Sequence, residues 1–283
     1  MEKRTLGKTG IVASVVGFGG ILVMNETAED SATYVAEAIH ERGVNYFDVA
    51  PSYGNAEEML GPTLEPYRKD VYLACKTGER KAEGAEEELN ASLKRLRTDH
   101  FDVYQLHAMK TMEDVETVFG PGGAMEVFVK AKEQGKVRNL GFSAHSEEAA
   151  LALMDRFDFD TILYPFNWAC WLKEGFGPEV IAKAEAKGMG ILALKTLAKR
   201  AWGEDEEHDW SKTWYKPVES YEEADLAVRF TLSQPVDVGI SPGHIELFRW
   251  MCDAADTFAP ITNDEVATLR EKSQDLETIF PQT

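Results

Sequence analysis

The sequence predicts an α/β chain folded as a (β/α)8 TIM barrel with an N-terminal β-hairpin, on three observations. Eight short apolar runs alternate in tandem with helical stretches. No linker rich in Pro, Gly or Ser divides them at the midpoint, and the first run lacks the GxGxxG turn that an open doubly wound sheet would want. Strands alternating with helices make a parallel sheet covered by helices, and eight is the number that closes it into a barrel. The whole chain, 1–283, is read as one such domain.

Each element has a local reason. The opening RTLGKTGIVAS reads as a polar strand, a Lys-Thr-Gly turn and a return strand. Apolar runs follow at about 15–20, 45–49, 71–75, 101–106, 137–143, 161–164, 190–195 and 236–240. Helical stretches fall at about 28–42, 55–65, 84–97, 123–134, 146–157, 178–187, 220–233 and 244–257, with a last one at 262–273. After the first run, GFGGILVMN has glycines at the wrong spacing for a dinucleotide fingerprint. Asn55 is a plausible N-cap for a helix that Glu57 and Glu58 open. In GAEEELNASLKRLR, Leu89, Leu93 and Leu96 stand at i, i+4 and i+7, one apolar stripe to lay against a barrel wall. Segments 107–122 and 196–219 are longer than ordinary strand-to-helix loops and follow strand C-termini, where barrel enzymes carry their sites.

Composition narrows the function classes. Of 283 residues, 30 are Lys or Arg and 49 Asp or Glu, a net charge of −19 that argues against nucleic acid or an anionic membrane as the main partner. Cys75, Cys170 and Cys252 fit neither a CxxC nor a metal-ligand pattern, so neither a disulfide framework nor a metal site is expected. MEKRTLGKTG has no apolar signal region and no later run reaches membrane-spanning length. These features predict a cytoplasmic protein, monomeric or weakly homo-oligomeric.

The ends of the second, third and fourth runs carry Asp48 with Tyr53 just beyond it, Lys76 and His107. Singly these have ordinary explanations as a turn residue, a half-buried aromatic, a solvated strand end and a rim histidine. Together they are an acid, a phenol, an amine and an imidazole on one rim. A tyrosine hydroxyl can protonate a developing alkoxide if an ammonium lowers its pKa, and Asp48 can keep Lys76 charged. His107 can polarise the same carbonyl oxygen. No Ser or Cys nucleophile motif accompanies them, so hydride from a cofactor is the natural complement.

At these residues the sequence resembles the aldo-keto reductases over nearly its whole length. GVNYFDVAPSYGNAEEMLG is similar to the family's Asp and Tyr motif, LACKTG to its lysine and DVYQLHAMK to its histidine. The resemblance implies a barrel that reduces aldehydes or ketones with NADPH, less often NADH, and without metal. It implies nicotinamide contacts at Ser143 and Asn167, although Ala144 stands where the family has asparagine and Leu194 where it has an aromatic ring. It further implies pyrophosphate contacts at Lys195 and Gly243, a 2′-phosphate partner in Arg249 and an adenine contact at Asp253, hence NADPH over NADH. A surface ion pair of Arg249 with Glu246 is the alternative. Met24, Tyr53, Met109, Trp168 and Trp171 are the expected walls for a small-molecule carbonyl substrate. A long C-terminal cover looks absent, which predicts an open pocket, and AWGEDEEHDW at 201–210 is read as a mobile acidic flap. Two rival functions stay open: a lyase forming a Schiff base at Lys76, and a non-catalytic nicotinamide-binding regulatory subunit.

Overall fold

The computed structural model describes residues 1–281. Strands β1 (Lys3–Thr5) and β2 (Val12–Ser14) pair antiparallel as the expected hairpin. Eight parallel strands then close a barrel: β3 (Val16–Gly19), β4 (Tyr46–Asp48), β5 (Tyr72–Thr77), β6 (Phe101–Met109), β7 (Val137–Ala144), β8 (Thr161–Pro165), β9 (Gly190–Leu194) and β12 (Val238–Ile240). The order runs β3 to β9 in sequence, with β12 completing the ring between β9 and β3. The intervening β10 (Ala198–Arg200) and β11 (Lys216–Pro217) form a small antiparallel ribbon in the segment after β9.

Around the ring lie α1 (Ala28–Ala36, continued by a wider turn through Glu41), α2 (Ala56–Leu64), α3 (Ala82–Arg95), α4 (Met112–Phe119) and α5 (Ala124–Glu133). They are followed by α6 (Glu147–Arg156), α7 (Pro178–Ala186), α8 (Tyr221–Leu232), α9 (Ile245–Asp256) and α10 (Asn263–Ser273). The stripe on α3 packs as its spacing requires, with Leu89, Leu93 and Leu96 all buried. Between α2 and α3 the backbones nearly touch: a Cβ on Gly61 would lie 2.1 Å from the Arg95 carbonyl oxygen.

The hairpin plugs the N-terminal end of the barrel. Gly7 turns at φ +46°, and any Cβ there would collide with the Gly190 amide at 2.2 Å. Asp237 Oδ2 accepts from the amides of Gly7 (3.2 Å) and Ile191 (2.9 Å), tying plug to rim. Leu6, Ile11 and Ala13 enter the barrel interior and pack with Tyr46, Ala74, Val103, Leu163, Leu192 and Val238.

Several local expectations are corrected. The segment 107–122 is not a plain loop but holds α4, opened by a reciprocal cap between Thr111 and Asp114. Asn55 holds the N-cap position of α2 as expected but makes no side-chain cap bond; its Oδ1 accepts from the Asn25 amide at 2.7 Å and joins the loops after β3 and β4. The 201–210 segment is pinned: Glu206 pairs with Arg200 (2.7 Å) and Lys216 (2.6 Å), and Trp202 stacks on His208. The C-terminal segment, though short, does reach the barrel mouth. Lys173 Nζ holds the carbonyls of Gln274 and Leu276, and Phe280 rests on Phe176, His145 and Trp214.

Candidate active site

The C-terminal ends of the strands surround a cavity of about 210 Å³ that contains Asp48, Tyr53, Lys76 and His107. Asp48 ends β4 and Lys76 is the fifth residue of β5, so both project from the rim of the ring. Both are buried, and the Lys76 ammonium donates to Asp48 Oδ1 and to the Val49 carbonyl at 3.2 Å. Tyr53 is brought over them by a closed turn, its amide donating to Ala50 O at 3.0 Å, with Gly54 at φ +54°. Lys76 Nζ lies 5.4 Å from the centre of the Tyr53 ring, and the His107 ring meets that ring edge-on at 5.8 Å. Ser52 Oγ stands 3.4 Å from His107 Nδ1, while Arg80 holds the His107 carbonyl at 2.9 Å.

Burial governs the protonation states. It pushes Tyr53 up, against the pull of the Lys76 charge, so the phenol is neutral; the expected net lowering by Lys76 does not occur. Burial would lower Lys76, but Asp48 and Tyr53 outweigh it and the ammonium is held charged. Burial raises Asp48 against the opposing Lys76 charge. A charged, paired Lys76 is the wrong form for an imine-forming nucleophile, which counts against the Schiff-base lyase. Burial first, and then Lys76 and other cations, lower His107 to about 3 and make it a neutral imidazole.

The remaining expected residues divide sharply. Ser143, Lys195 and Gly243 line the cavity. Ser143 Oγ accepts from the Ala108 amide at 2.7 Å, which leaves its hydroxyl proton free to donate. Asn167 does not face the cavity. Its Nδ2 donates to the carbonyls of Lys195 and Ala198, and its Oδ1 accepts from the amides of Ala169 and Cys170 at 3.1 Å each, so the amide is fully used in joining the ends of β8 and β9.

Arg249 pairs neither with Glu246 nor with a cavity group. It grips Glu37 at the end of α1 through two bonds of 2.8 and 2.6 Å. Asp253, one turn on, binds Arg42 at 2.5 Å. The reason is position: α9 begins after His244, so Arg249 lies about 7 Å along the helix from the mouth and faces α1. Gly243, beside the N-cap, is the part of this region that faces the cavity.

Among the expected substrate walls, Tyr53 alone lines the cavity. Met24 packs beside Gly54, and Met109 is fully buried. Trp168 faces a separate groove with Leu226, Leu269 and Leu276, and Trp171 stacks on Phe166 at 4.6 Å. The segment 196–219, expected at the mouth, does supply wall residues, Trp214 and Tyr215, which the sequence reading did not name singly; His145 it missed. His145 had a signal: it stands two residues beyond Ser143, and alternate residues of an extended segment share a face.

The fit to a dinucleotide can be judged from the far side of the cavity. Gly19 approaches Ser241 so closely that a Cβ would lie 2.3 Å from its carbonyl, while Ser241 Oγ accepts from the Gly19 amide. Gly243 leaves room that a Cβ would close against Lys212 and Ile21. Thr196 Oγ1, also on the lining, is buried without a hydrogen-bond partner. Close backbone approach beside a helix N-terminus, with hydroxyls facing in, is a suitable cradle for phosphate and ribose.

The family model described as "Aldo/keto reductase family" matches residues 15–269. The chain belongs to that family. This aldo-keto reductase is 24% identical to the uncharacterized oxidoreductase YqkF of Bacillus subtilis, covering 97% of each chain. It is 27% identical to L-galactose dehydrogenase of Arabidopsis thaliana over 74% of this chain and 70% of that one. Its fold matches that of aldo-keto reductase AKR11C1 from Bacillus halodurans with a TM-score of 0.74 at 23% identity, covering 100% and 98% of the two chains. The family comprises oxidoreductases that act on small-molecule carbonyl compounds with nicotinamide cofactors. Among the described residues no helix is long and apolar enough to cross a membrane, and no group of three or more His, Cys, Asp or Glu could hold a metal ion.

Proposed function

We propose that this aldo-keto reductase reduces an aldehyde or ketone to an alcohol, with Tyr53 as the proton donor to the carbonyl oxygen. The observation that carries this reading is the buried Lys76–Asp48 pair set against the Tyr53 ring, with neutral His107 edge-on beside it. Tyr53 starts as a neutral phenol and has a proton to give. As negative charge develops on the phenolic oxygen, the Lys76 ammonium stabilises it, so the benefit grows toward the transition state. Asp48 keeps Lys76 charged and in place, and His107 donates a hydrogen bond that orients the carbonyl. NADPH or NADH, when bound, supplies the hydride. The dinucleotide would be held by Ser143 and Thr196 near the reacting end and by Ser241 and the Gly243 backbone toward its phosphates. With Arg249 engaged by Glu37, a preference for NADPH loses the 2′-phosphate partner that the resemblance implied.

The test is Tyr53→Phe. Turnover with a panel of aldehydes, diketones, quinones and sugars, followed by loss of reduced-nicotinamide absorbance, should fall by at least roughly a hundredfold, the usual worth of a positioned general acid. Cofactor binding, read by quenching of tryptophan fluorescence, should survive. Wild-type rates in the variant would sink the reading. Absence of turnover by the wild-type protein across the panel, with cofactor bound, would favour a regulatory subunit.

A further inference from the structure

Proton delivery leaves Lys195 of the cavity unused. It follows β9 with φ +69°, a left-handed conformation that lysine rarely adopts and that costs about 1–3 kcal/mol. Two bonds to its carbonyl hold it there, from Asn167 Nδ2 at 3.2 Å and from the Ala198 amide at 3.0 Å. The side chain lines the cavity, with its ammonium 4.9 Å from the centre of the Trp214 ring and 5.3 Å from that of Tyr215.

In a chain with 49 acidic residues, Lys195 forms no ion pair among the described residues. The carboxylate on the cavity wall, Asp48, is taken by Lys76, and the other cavity lysine, Lys212, is taken by Glu26 at 2.5 Å. Two aromatic faces support a cation but do not neutralise it. The cavity therefore carries an uncompensated positive charge beside its proton donors.

The position of that charge distinguishes two kinds of anion. Trp214, over which the Lys195 ammonium sits, meets the Phe280 ring at 5.9 Å, and Phe280 meets the His145 ring at 5.7 Å. Against Gly243 the packed cation is Lys212 instead, and its amide donates to His244 Nε2 at 3.0 Å. These contacts join Lys195 to the His145 side of the mouth, while the cation beside Gly243 is Lys212, and this favours a role for Lys195 other than the pyrophosphate contact that the resemblance implied.

We propose that Lys195 is the anion receptor of the substrate pocket, and that the enzyme acts on carbonyl compounds bearing a carboxylate. The carbonyl lies at Tyr53 and His107, the carboxylate at Lys195 with His145 beside it, and the Trp214 and Tyr215 rings cover the carbon skeleton between. The proposal rests on carbonyl reduction being the reaction, so its test needs one arm that does not require turnover.

In the kinetic arm, 4-carboxybenzaldehyde is compared with its methyl ester, and succinic semialdehyde with butanal, in wild type, Lys195→Met and Lys195→Arg. The acids should have the lower KM in wild type. That advantage should shrink roughly ten- to hundredfold in Lys195→Met, the worth of a charge-assisted hydrogen bond, and return in part in Lys195→Arg. In the binding arm, 4-(hydroxymethyl)benzoate and its methyl ester are titrated calorimetrically onto the cofactor-loaded protein. The acid should bind more tightly, and Lys195→Met should remove the difference. Equal affinities for acid and ester in wild type would overturn the proposal, whatever the turnover. So would a Lys195→Met variant that weakens NADPH and NADH alike by tenfold or more, which would return Lys195 to the pyrophosphate. Failure of every carbonyl to be reduced, with the binding difference intact, would overturn the reaction and leave the anion receptor standing.

Discussion

An unpaired ammonium inside a protein is a cost to folding, and Lys195→Met should make this enzyme more stable. Methionine keeps the length and the apolar stem of the side chain and removes the charge. Burial lowers Lys195 from its ordinary 10.5 to about 8. At about 1.36 kcal/mol per pH unit between the two values, holding it charged at neutral pH costs the folded state up to about 3 kcal/mol. Water in the cavity screens part of this, and contact with Trp214 and Tyr215 returns about 1 kcal/mol. The expected net gain for the variant is about 1–2 kcal/mol, or roughly 2–5 °C in Tm for a chain of this size.

The pH dependence fixes the cause. A lysine whose folded pKa is depressed binds fewer protons folded than unfolded between about 8 and 10.5, so wild-type stability gains through that window as pH rises. The gap between variant and wild type should be full below pH 8 and should close by about 10.5. The other titratable groups facing the cavity, Asp48, Tyr53, Lys76, His107, His145, Lys212 and Tyr215, are common to both proteins and cancel to first order. Scanning calorimetry from pH 7 to 10.5 reads the effect. A variant no more stable than wild type at pH 7, or a gap independent of pH, would refute the reasoning.

Three further outcomes follow from the same geometry. Arg249→Ala should leave the ratio of NADPH to NADH dissociation constants within about twofold, while lowering stability by roughly 1–2 kcal/mol as Glu37 loses its main partner; a selective loss of NADPH affinity would restore the 2′-phosphate role. The pH profile of kcat/KM should show no imidazole limb between pH 5 and 8, because burial lowers both His107 and His145 to about 3 and both stay neutral above that value; an inflection near 6.5 that disappears in His107→Asn would contradict this. Asp48→Asn should cost about 3–5 kcal/mol in urea denaturation by leaving Lys76 charged and buried alone, and Asp48→Asn combined with Lys76→Met should recover much of the loss.

How much of this could be read in advance depended on periodicity. Strand ends are legible, because apolar runs announce where Asp48, Lys76 and His107 must stand, and the ring closure that brings them together follows from the count of eight. Helix partners are less so: the stretch 244–257 matches α9 to within a residue, but nothing in it tells that Arg249 meets Glu37, a partner 212 positions away. Asn167 was misread because the chain after β8 curls back upon it, and a buried amide surrounded by unsatisfied backbone groups is consumed by them. α4 had a readable start in Thr111 and Asp114, with Val115 and Val118 supplying its buried face, but the stretch was judged by its length. The covering of the mouth by Trp214, Tyr215 and Phe280 is a long-range arrangement for which short-range pattern offers no rule.

The plug at the bottom of the barrel bears on the rhythm of catalysis. With Leu6 and Ile11 filling the interior from below and Asp237 fastening the hairpin to the rim, the cavity that holds Tyr53 opens at the other end of the barrel. If Tyr53 gives up its proton as proposed, a replacement that enters by this mouth uses the opening by which product departs and the next reactant arrives. On that reading recharging the acid and exchanging the cargo share one passage, with Trp214 and Phe280 standing at its rim.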